Sequence, residues 1–305
     1  MKVHNIEDIS ALKQPSIVTV GMFDGVHVGH RHLLKLLQQR AEASQLEPWV
    51  VTFDRHPRLV LHNDINGLKL LSTAEERIAL LEGCGVQQVA LVHFTSRLAA
   101  LSACRFVQQF LLRQLNMKAL VLGYDNMFGN KQHNDFVRLP ELAKEEGFVI
   151  YNDTAVYVDG VDVSSTKIRH ALQDGDMSLA QRMLGAYYSM QGIVVHGRGV
   201  GHRLGFPTAN IAIDNTMKAL PAEGVYAVHV SDGKQQWHGM ANLGPRPTFG
   251  LGSATFEINL FDCHEALYGT VLKVEFVKRL RDIMQFESEE ALAAQLAKDK
   301  ENAMM

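Results

Sequence analysis

In the first half of the chain, the residues best placed to do chemistry are His27 and His30. They follow a β-branched run, Ile17–Val20, and are interleaved with Gly21, Gly25 and Gly29. Strand, glycine-rich turn and helix start together aim unpaired backbone N–H groups and a positive helix end at an anion. The carboxyl end of a first strand is also where open α/β sheets hold their ligands. Imidazoles three residues apart share a face if the first helical turn includes both, and each can then donate to a phosphate oxygen. That suits attack on the α-phosphorus of a nucleotide, where catalysis is mainly positioning plus stabilisation of charge on phosphate oxygens. The same pair could be metal ligands, but zinc would need a further ligand and no Cys or His cluster follows. It could also be two surface residues beside a helix start. The conjunction of two histidines, three glycines and a preceding strand favours phosphate.

Other segments carry weaker signals. Ser164-Ser165-Thr166-Lys167-Ile168-Arg169 leads into a helix, so its hydroxyls read first as caps. Lys167 and Arg169 beside that start make it a second phosphate clamp. The loops Thr52–Pro57 and Gly123–Lys131 gain value from position, since both open on the sheet edge that carries His27 and His30. Further on, Gly197, Gly199 and Gly201 read from spacing alone as a hairpin or bulge loop. After Pro207 an extended segment projects Thr208 and Asn210 from one side. Neutral oxygens of that kind suit Mg²⁺ when nucleotide phosphates bring it. Alternation puts Thr255, Glu257 and Asn259 on one strand face, and an exposed strand glutamate is by itself ordinary.

Two kinds of element must position these residues. Strands are expected at Ile17–Val20, Trp49–Phe53, Val89–Val92, Ala119–Leu122 and Phe148–Tyr151. Helical patterns fall between them near 31–44, 73–82, 102–115 and 140–146. Thr73-Ala-Glu-Glu76 fits a capping box, Ser102 an N-cap and Pro140 a first helical position. This alternation predicts a Rossmann-like parallel sheet. It has neither the G-x-G-x-x-G turn of dinucleotide-binding enzymes nor a G-x-x-x-x-G-K-[ST] loop. Near Tyr187 the pattern changes to Met190–Val195, Val225–Val230, Gln236–Ala241, Thr255–Leu260 and Val271–Val277, with a turn at Asp232-Gly233. That half predicts a small antiparallel barrel, closed by a helix over 288–300. The expected domains are therefore 1–186 and 187–305.

The whole chain sets bounds. Its 305 residues favour two domains. With 47% hydrophobic and 21% charged residues it suggests neither disorder nor a membrane protein. A net charge of −3 argues against a nucleic-acid partner. The first residues lack the basic-then-apolar pattern of a signal peptide. Cys84, Cys104 and Cys263 are widely spaced, so free thiols in the cytoplasm are expected.

The run Gly21-Met-Phe23-Asp24-Gly-Val-His27-Val-Gly29-His30 matches the signature of the nucleotidyltransferase superfamily. It resembles most closely the N-terminal half of bacterial bifunctional riboflavin kinase/FAD synthetases. The segments Gly201–Asn210, Leu220–Ala227, Ala241–Phe249, a strand glutamate, Leu267-Tyr-Gly269 and Leu280-Arg281-Asp282 recur in that order in riboflavin kinases. The two resemblances cover nearly the entire chain. They imply phosphorylation of riboflavin to FMN and adenylylation of FMN to FAD with release of pyrophosphate. Riboflavin, FMN and ATP are then the small-molecule partners, Mg²⁺ accompanies ATP, and FMN and FAD are products rather than catalytic cofactors. By the same resemblance, His27 and His30 stabilise the pentavalent phosphorus. Gly21, Phe23, Asp24, Gly29, Ser165, Thr166 and Arg169 bind the adenylyl donor, and Asp125, Asn126 and Phe128 bind its flavin acceptor. In the kinase half, Gly197, Gly201, Gly205 and Thr208 bind ATP, and Thr208 and Asn210 hold Mg²⁺. Glu257 is the general base, and Arg281 closes the flavin site. The chain departs from the family pattern at Arg55, Asn126, Gln132, Asn134 and His202. A kinase with a weakly active or inactive N-terminal domain, a flavin carrier, and a nucleotidyltransferase for another phosphate ester are the competing readings. A monomer or weak homo-oligomer is expected.

Overall fold

Apolar, β-branched segments become the buried strands of a parallel sheet in the first half of the chain. The computed structural model describes residues 1–57, 60, 67–124, 128, 135–197, 205–213, 217–244 and 255–305. They fall into two compact units, Met1–Ser165 and Thr166–Met305. The first unit contains β1 (Lys2–Asn5), β2 (Ser16–Val20), β3 (Glu47–Phe53), β4 (Gln88–Val92), β5 (Met117–Leu122) and β6 (Val149–Asn152). Their order is β1-β4-β3-β2-β5-β6, with every pairing parallel. Successive side chains of β2 go to opposite faces, as strand geometry requires. Val18 and Val20 enter one core with Val51 and Leu120, whereas Ile17 enters another with Val50 and Val121.

Helices cover both faces. α1 (Val28–Ser44) buries Leu33, Leu34, Leu37 and Ala41, one stripe at helical spacing. α2 (Ala74–Gly83) opens on the expected capping box, Thr73 with Glu76. The helix expected over 102–115 begins with Ser102 as N-cap of α3 (Ala103–Phe106), then widens into a π-helical stretch, Val107–Leu112. α4 (Leu139–Glu146) has Pro140 in its first turn and ends on left-handed Gly147. A small hairpin follows, β7 (Tyr157–Val158) with β8 (Val161–Asp162). From β2 the sheet grows one way to β3 and the other way to β5. The carboxyl end of β2 is therefore a topological switch point, the place where open α/β sheets hold their ligands.

The second unit opens with most of α5 (Ser165–Gln173) and with α6 (Met177–Leu184). Both pack with the barrel: the Ala222 N–H donates to the Leu172 carbonyl at 2.8 Å, and α6 contacts β9 and β14. The barrel strands are β9 (Tyr188–Val195), β10 (Ala209–Ala212), β11 (Gly224–Ser231), β12 (Gln236–Gly244), β13 (Thr255–Leu260) and β14 (Val271–Arg281). They close antiparallel in the order β10-β13-β12-β11-β14-β9. Tyr226, Phe256 and Phe276 fill the interior, with Phe276 edge-on to Tyr226 and stacked on Phe256. α7 (Glu289–Met304) is capped by Ser288 and closes the chain. Among the described residues, no helix is long and apolar enough to cross a membrane.

The capping box gives a direct test of the first unit. Thr73→Ala removes the oxygen that accepts the Glu76 N–H at 3.1 Å and should cost about 1 kcal/mol. Urea unfolding followed by buried Trp49 in a Trp237→Phe background reads it; an unshifted midpoint would contradict the assignment.

Candidate active sites

The first site is built on the turn that leaves β2. Gly21 stays in register, its N–H donating to the Val51 carbonyl at 3.0 Å. The chain then turns through Phe23, Gly25 and Val26, all with positive φ. His27 is the N-cap of α1 rather than a member of its first turn. Its Nδ1 accepts the His30 N–H at 3.3 Å. That bond leaves the proton of the neutral ring on Nε2, the nitrogen able to donate to a phosphate oxygen. The His30 ring stacks on His27 at 3.6 Å with 17° between planes, and Phe23 packs against its other side at 5.1 Å. So the two imidazoles come together by stacking, one as cap and one as helical residue. Gly29 allows it, since a Cβ there would lie 3.2 Å from the His27 ring.

Burial sets the charge of His30. His27 is buried, and the Nδ1 of His30 is a buried atom with no hydrogen-bond partner. Burial first, and the neighbouring His27 second, push the His30 pKa well below the ordinary 6.5. At neutral pH His30 is therefore a neutral ring stacked on His27 rather than a standing charge.

Asp24 sits beneath this turn. Its carboxylate is buried and accepts the N–H groups of Leu71 at 2.9 Å and Ser72 at 3.0 Å. Its carbonyl accepts from the Ser165 hydroxyl at 3.0 Å. Thr166 and Arg169 belong to the second unit, where the Arg169 guanidinium donates to Thr166 Oγ1 at 3.3 Å. Phe128 packs against Phe106 and Phe136. Asp125 and Asn126 lie outside the described residues, as do the departures at Gln132 and Asn134. On the same sheet edge, Asp54 accepts from the Phe94 N–H and pairs with His93. Those contacts hold its carboxyl below the usual range despite the opposing effect of partial burial.

The second site lies wholly in the barrel unit. A cavity of about 310 Å³ is walled by Phe206, Met240, Ile283 and Phe286, with Leu292 and Leu296 from one face of α7. Thr208, Asn242, Glu257, Asn259 and Arg281 supply its polar groups. Apolar walls with a few convergent polar groups suit a flat heterocycle that carries a polar chain. Register places Glu257 directly between Asn210 on β10 and Asn242 on β12. The Asn210 amide lies over Gly197, where a Cβ would come within 1.9 Å of Nδ2, so a larger residue there would displace that amide. Gly205 turns with φ +80° into the Phe206–Thr208 segment, and the Pro207 carbonyl is held by Asn259 Nδ2 at 2.7 Å. Gly201 and His202 lie outside the described residues.

Arg281 lines the cavity while its guanidinium is committed to α7. Nε lies 2.9 Å and Nη2 2.7 Å from Asp299 Oδ2, and Asp299 is buried. Asp299, Asn242 and Ser72 escape a reading of the sequence, because each acts through a partner distant along the chain. The polar i, i+4 pair Gln295–Asp299 on a helix face with Leu292 and Leu296 was the available signal for Asp299.

Comparison with known proteins follows this division. A FAD synthetase family model matches residues 9–167, and a riboflavin kinase family model matches residues 184–305. The bifunctional riboflavin kinase/FMN adenylyltransferase of Escherichia coli (strain K12) is 36% identical over 98% of this chain and 94% of its own length. The protein of the same name from Bacillus subtilis (strain 168) is 34% identical over 95% and 92%. A crystal structure described as a macrolide-efflux protein from Streptococcus pneumoniae superposes with a TM-score of 0.88 at 32% identity, covering 98% of this chain and 97% of that one. Two domain models in tandem, and full-length relatives that carry both activities in their name, establish that this chain is an enzyme of the bifunctional riboflavin kinase/FMN adenylyltransferase family.

Proposed function

We propose that residues 1–186 transfer the adenylyl group of ATP to FMN, and that residues 187–305 transfer the γ-phosphoryl group of ATP to riboflavin. The observation that carries the reading is the barrel cavity with Glu257 set between Asn210 and Asn242. It provides a carboxylate beside an apolar slot and next to neutral oxygen donors.

In the kinase reaction Glu257 accepts the proton of the ribityl 5′-hydroxyl as that oxygen attacks the γ-phosphorus of ATP, releasing ADP. Thr208 Oγ1 and Asn210 Oδ1 are neutral oxygens, a set that suits Mg²⁺ brought by nucleotide phosphates, where the ion would neutralise phosphate charge. Gly197, Gly201 and Gly205 are the ATP-binding glycines of this half. Arg281, fixed by Asp299, holds α7 as one wall of the flavin slot.

In the adenylylation an FMN phosphate oxygen attacks the α-phosphorus and pyrophosphate leaves. His27 Nε2 and the His30 ring donate to the phosphate oxygens as charge builds, with no covalent intermediate. Gly21, Phe23, Asp24 and Gly29 shape the turn, while Ser165, Thr166 and Arg169 bind the triphosphate. Asp125, Asn126 and Phe128 receive the flavin, and the aromatic contacts of Phe128 supply an apolar floor. Flavins are substrates and products of both steps. We place the enzyme in the cytoplasm, in keeping with free Cys84, Cys104 and Cys263, as a monomer or weak homo-oligomer.

Three outcomes test this assignment. Glu257→Gln should lower FMN formation from riboflavin by roughly 10²- to 10⁴-fold and leave FAD formation from supplied FMN intact. His27→Asn should do the reverse; chromatographic separation of FMN and FAD reads both, and loss of both products in either variant would defeat the division of labour. The third concerns pH. The folded-state pKa of His30 is depressed, so above 6.5 the ring is neutral folded or unfolded and adds no pH dependence. Below 6.5 the unfolded chain takes the proton first and stability falls. His30→Asn should flatten that fall between about pH 6.5 and 5 in Trp49-monitored unfolding; an unchanged slope would contradict the buried, neutral ring.

A further inference from the structure

The turn that presents the two imidazoles is held from outside. Phe23, Gly25 and Val26 have φ of +52°, +77° and +40°. Glycine takes such values freely, whereas a β-branched residue there is a genuine outlier. Strain of this kind persists only where the surroundings over-determine it. At this turn one hydroxyl takes part on both sides of a single peptide. Ser72 Oγ accepts the Gly25 N–H at 2.9 Å and donates to Asp24 Oδ1 at 3.3 Å. The Ser72 N–H donates to the same carboxylate oxygen at 3.0 Å, and Ser72 is 1% exposed. Its hydroxyl thus engages both residues that flank the Asp24–Gly25 peptide. Buried Arg77, one helical turn along α2, has Asp24 as an electrostatic partner and donates to the Phe53 carbonyl. The segment after residue 67 therefore braces the carboxyl ends of both β2 and β3.

We propose that Ser72 is a positioning residue for adenylyl transfer. Its hydroxyl fixes the Asp24–Gly25 peptide and thereby the place of His27 and of His30 stacked on it. The inference rests on the adenylyl-transfer reading given above. Ser72 is buried and acts through the turn rather than by meeting the triphosphate itself. Loosening the turn therefore weakens chiefly what the imidazoles do at the pentavalent phosphorus, not ground-state binding.

Steady-state kinetics on the full chain test this, with FAD formed from FMN and ATP as one readout and FMN formed from riboflavin as the internal control. Ser72→Ala should lower kcat for FAD formation by roughly 10- to 100-fold, the cost of a misplacement near 1 Å. KM for ATP and for FMN should stay within about threefold, and the kinase rate should not change. Ser72→Thr, which keeps a hydroxyl, should restore most of the turnover. Unchanged kcat in Ser72→Ala would overturn the inference. So would a rise in KM with kcat preserved, or a Ser72→Thr protein that regains the Trp49 unfolding midpoint without regaining turnover. A wild-type chain that forms FMN but no FAD would instead remove the adenylyl-transfer reading, and this inference with it.

Discussion

The N-terminal site depends on one buried carboxylate. Asp24 gathers the backbone of Leu71 and Ser72 onto its side-chain oxygens, and its carbonyl accepts from Ser165. Segments far apart in the chain thus meet at the first residue after the left-handed Phe23. Left-handed non-glycine residues cost about 1–3 kcal/mol each, and a hydrogen bond to a charged group contributes about 1.5–3 kcal/mol. Several such bonds together offset the two strained residues, Phe23 and Val26. His27 and His30 are tied to this turn because one caps α1 and the other stacks on the cap.

A different device organises the barrel. α7 packs on β11, β12 and β14 and walls one side of the cavity with Leu292 and Leu296. What fixes the helix is the bidentate Arg281–Asp299 pair, with Gln295 as a second donor to Asp299. Both partners are largely out of water. A pair of that kind adds little net stability against an apolar replacement, yet losing one partner costs about 3–5 kcal/mol because the other is left buried and uncompensated. Its effect here is registry: it sets where the apolar face of α7 meets the pocket.

The two candidate sites offer different groups for the proposed handling of nucleotide phosphates. In the sheet unit the candidates are two stacked imidazoles at a switch point of strand order, His30 with its pKa pushed down by burial. In the barrel unit they are neutral oxygens of Thr208 and Asn210, with a carboxylate one strand away. One suits stabilising charge that develops on phosphate oxygens, and the other suits a cation delivered by the nucleotide itself.

Much of this was written in local pattern. The buried strands β2 to β5 came through because apolar β-branched runs between amphipathic helices have few other uses. The capping box at Thr73 and the N-cap at Ser102 lie within four residues of their partners. Glycines 29 and 197 could be marked as special, and the tertiary structure supplied the reason: an imidazole over one and the Asn210 amide over the other. What pattern could not show were elements without an apolar face or contacts without locality. β1 is polar and largely exposed, and it is a strand only because β4 offers it an edge. β10 is four residues long between two longer partners. Where α5 and α6 pack was settled by the barrel against which they bury Leu172 and Met183. Ser72 and Asp299 are ordinary polar residues in sequence, and their roles exist only once the chain has brought Asp24 and Arg281 to them. Sequence alone determined the two fold classes and named the candidate side chains, because periodicity and short motifs are local. Which bonds hold those side chains in place was decided by contacts between distant segments, which leave no period behind.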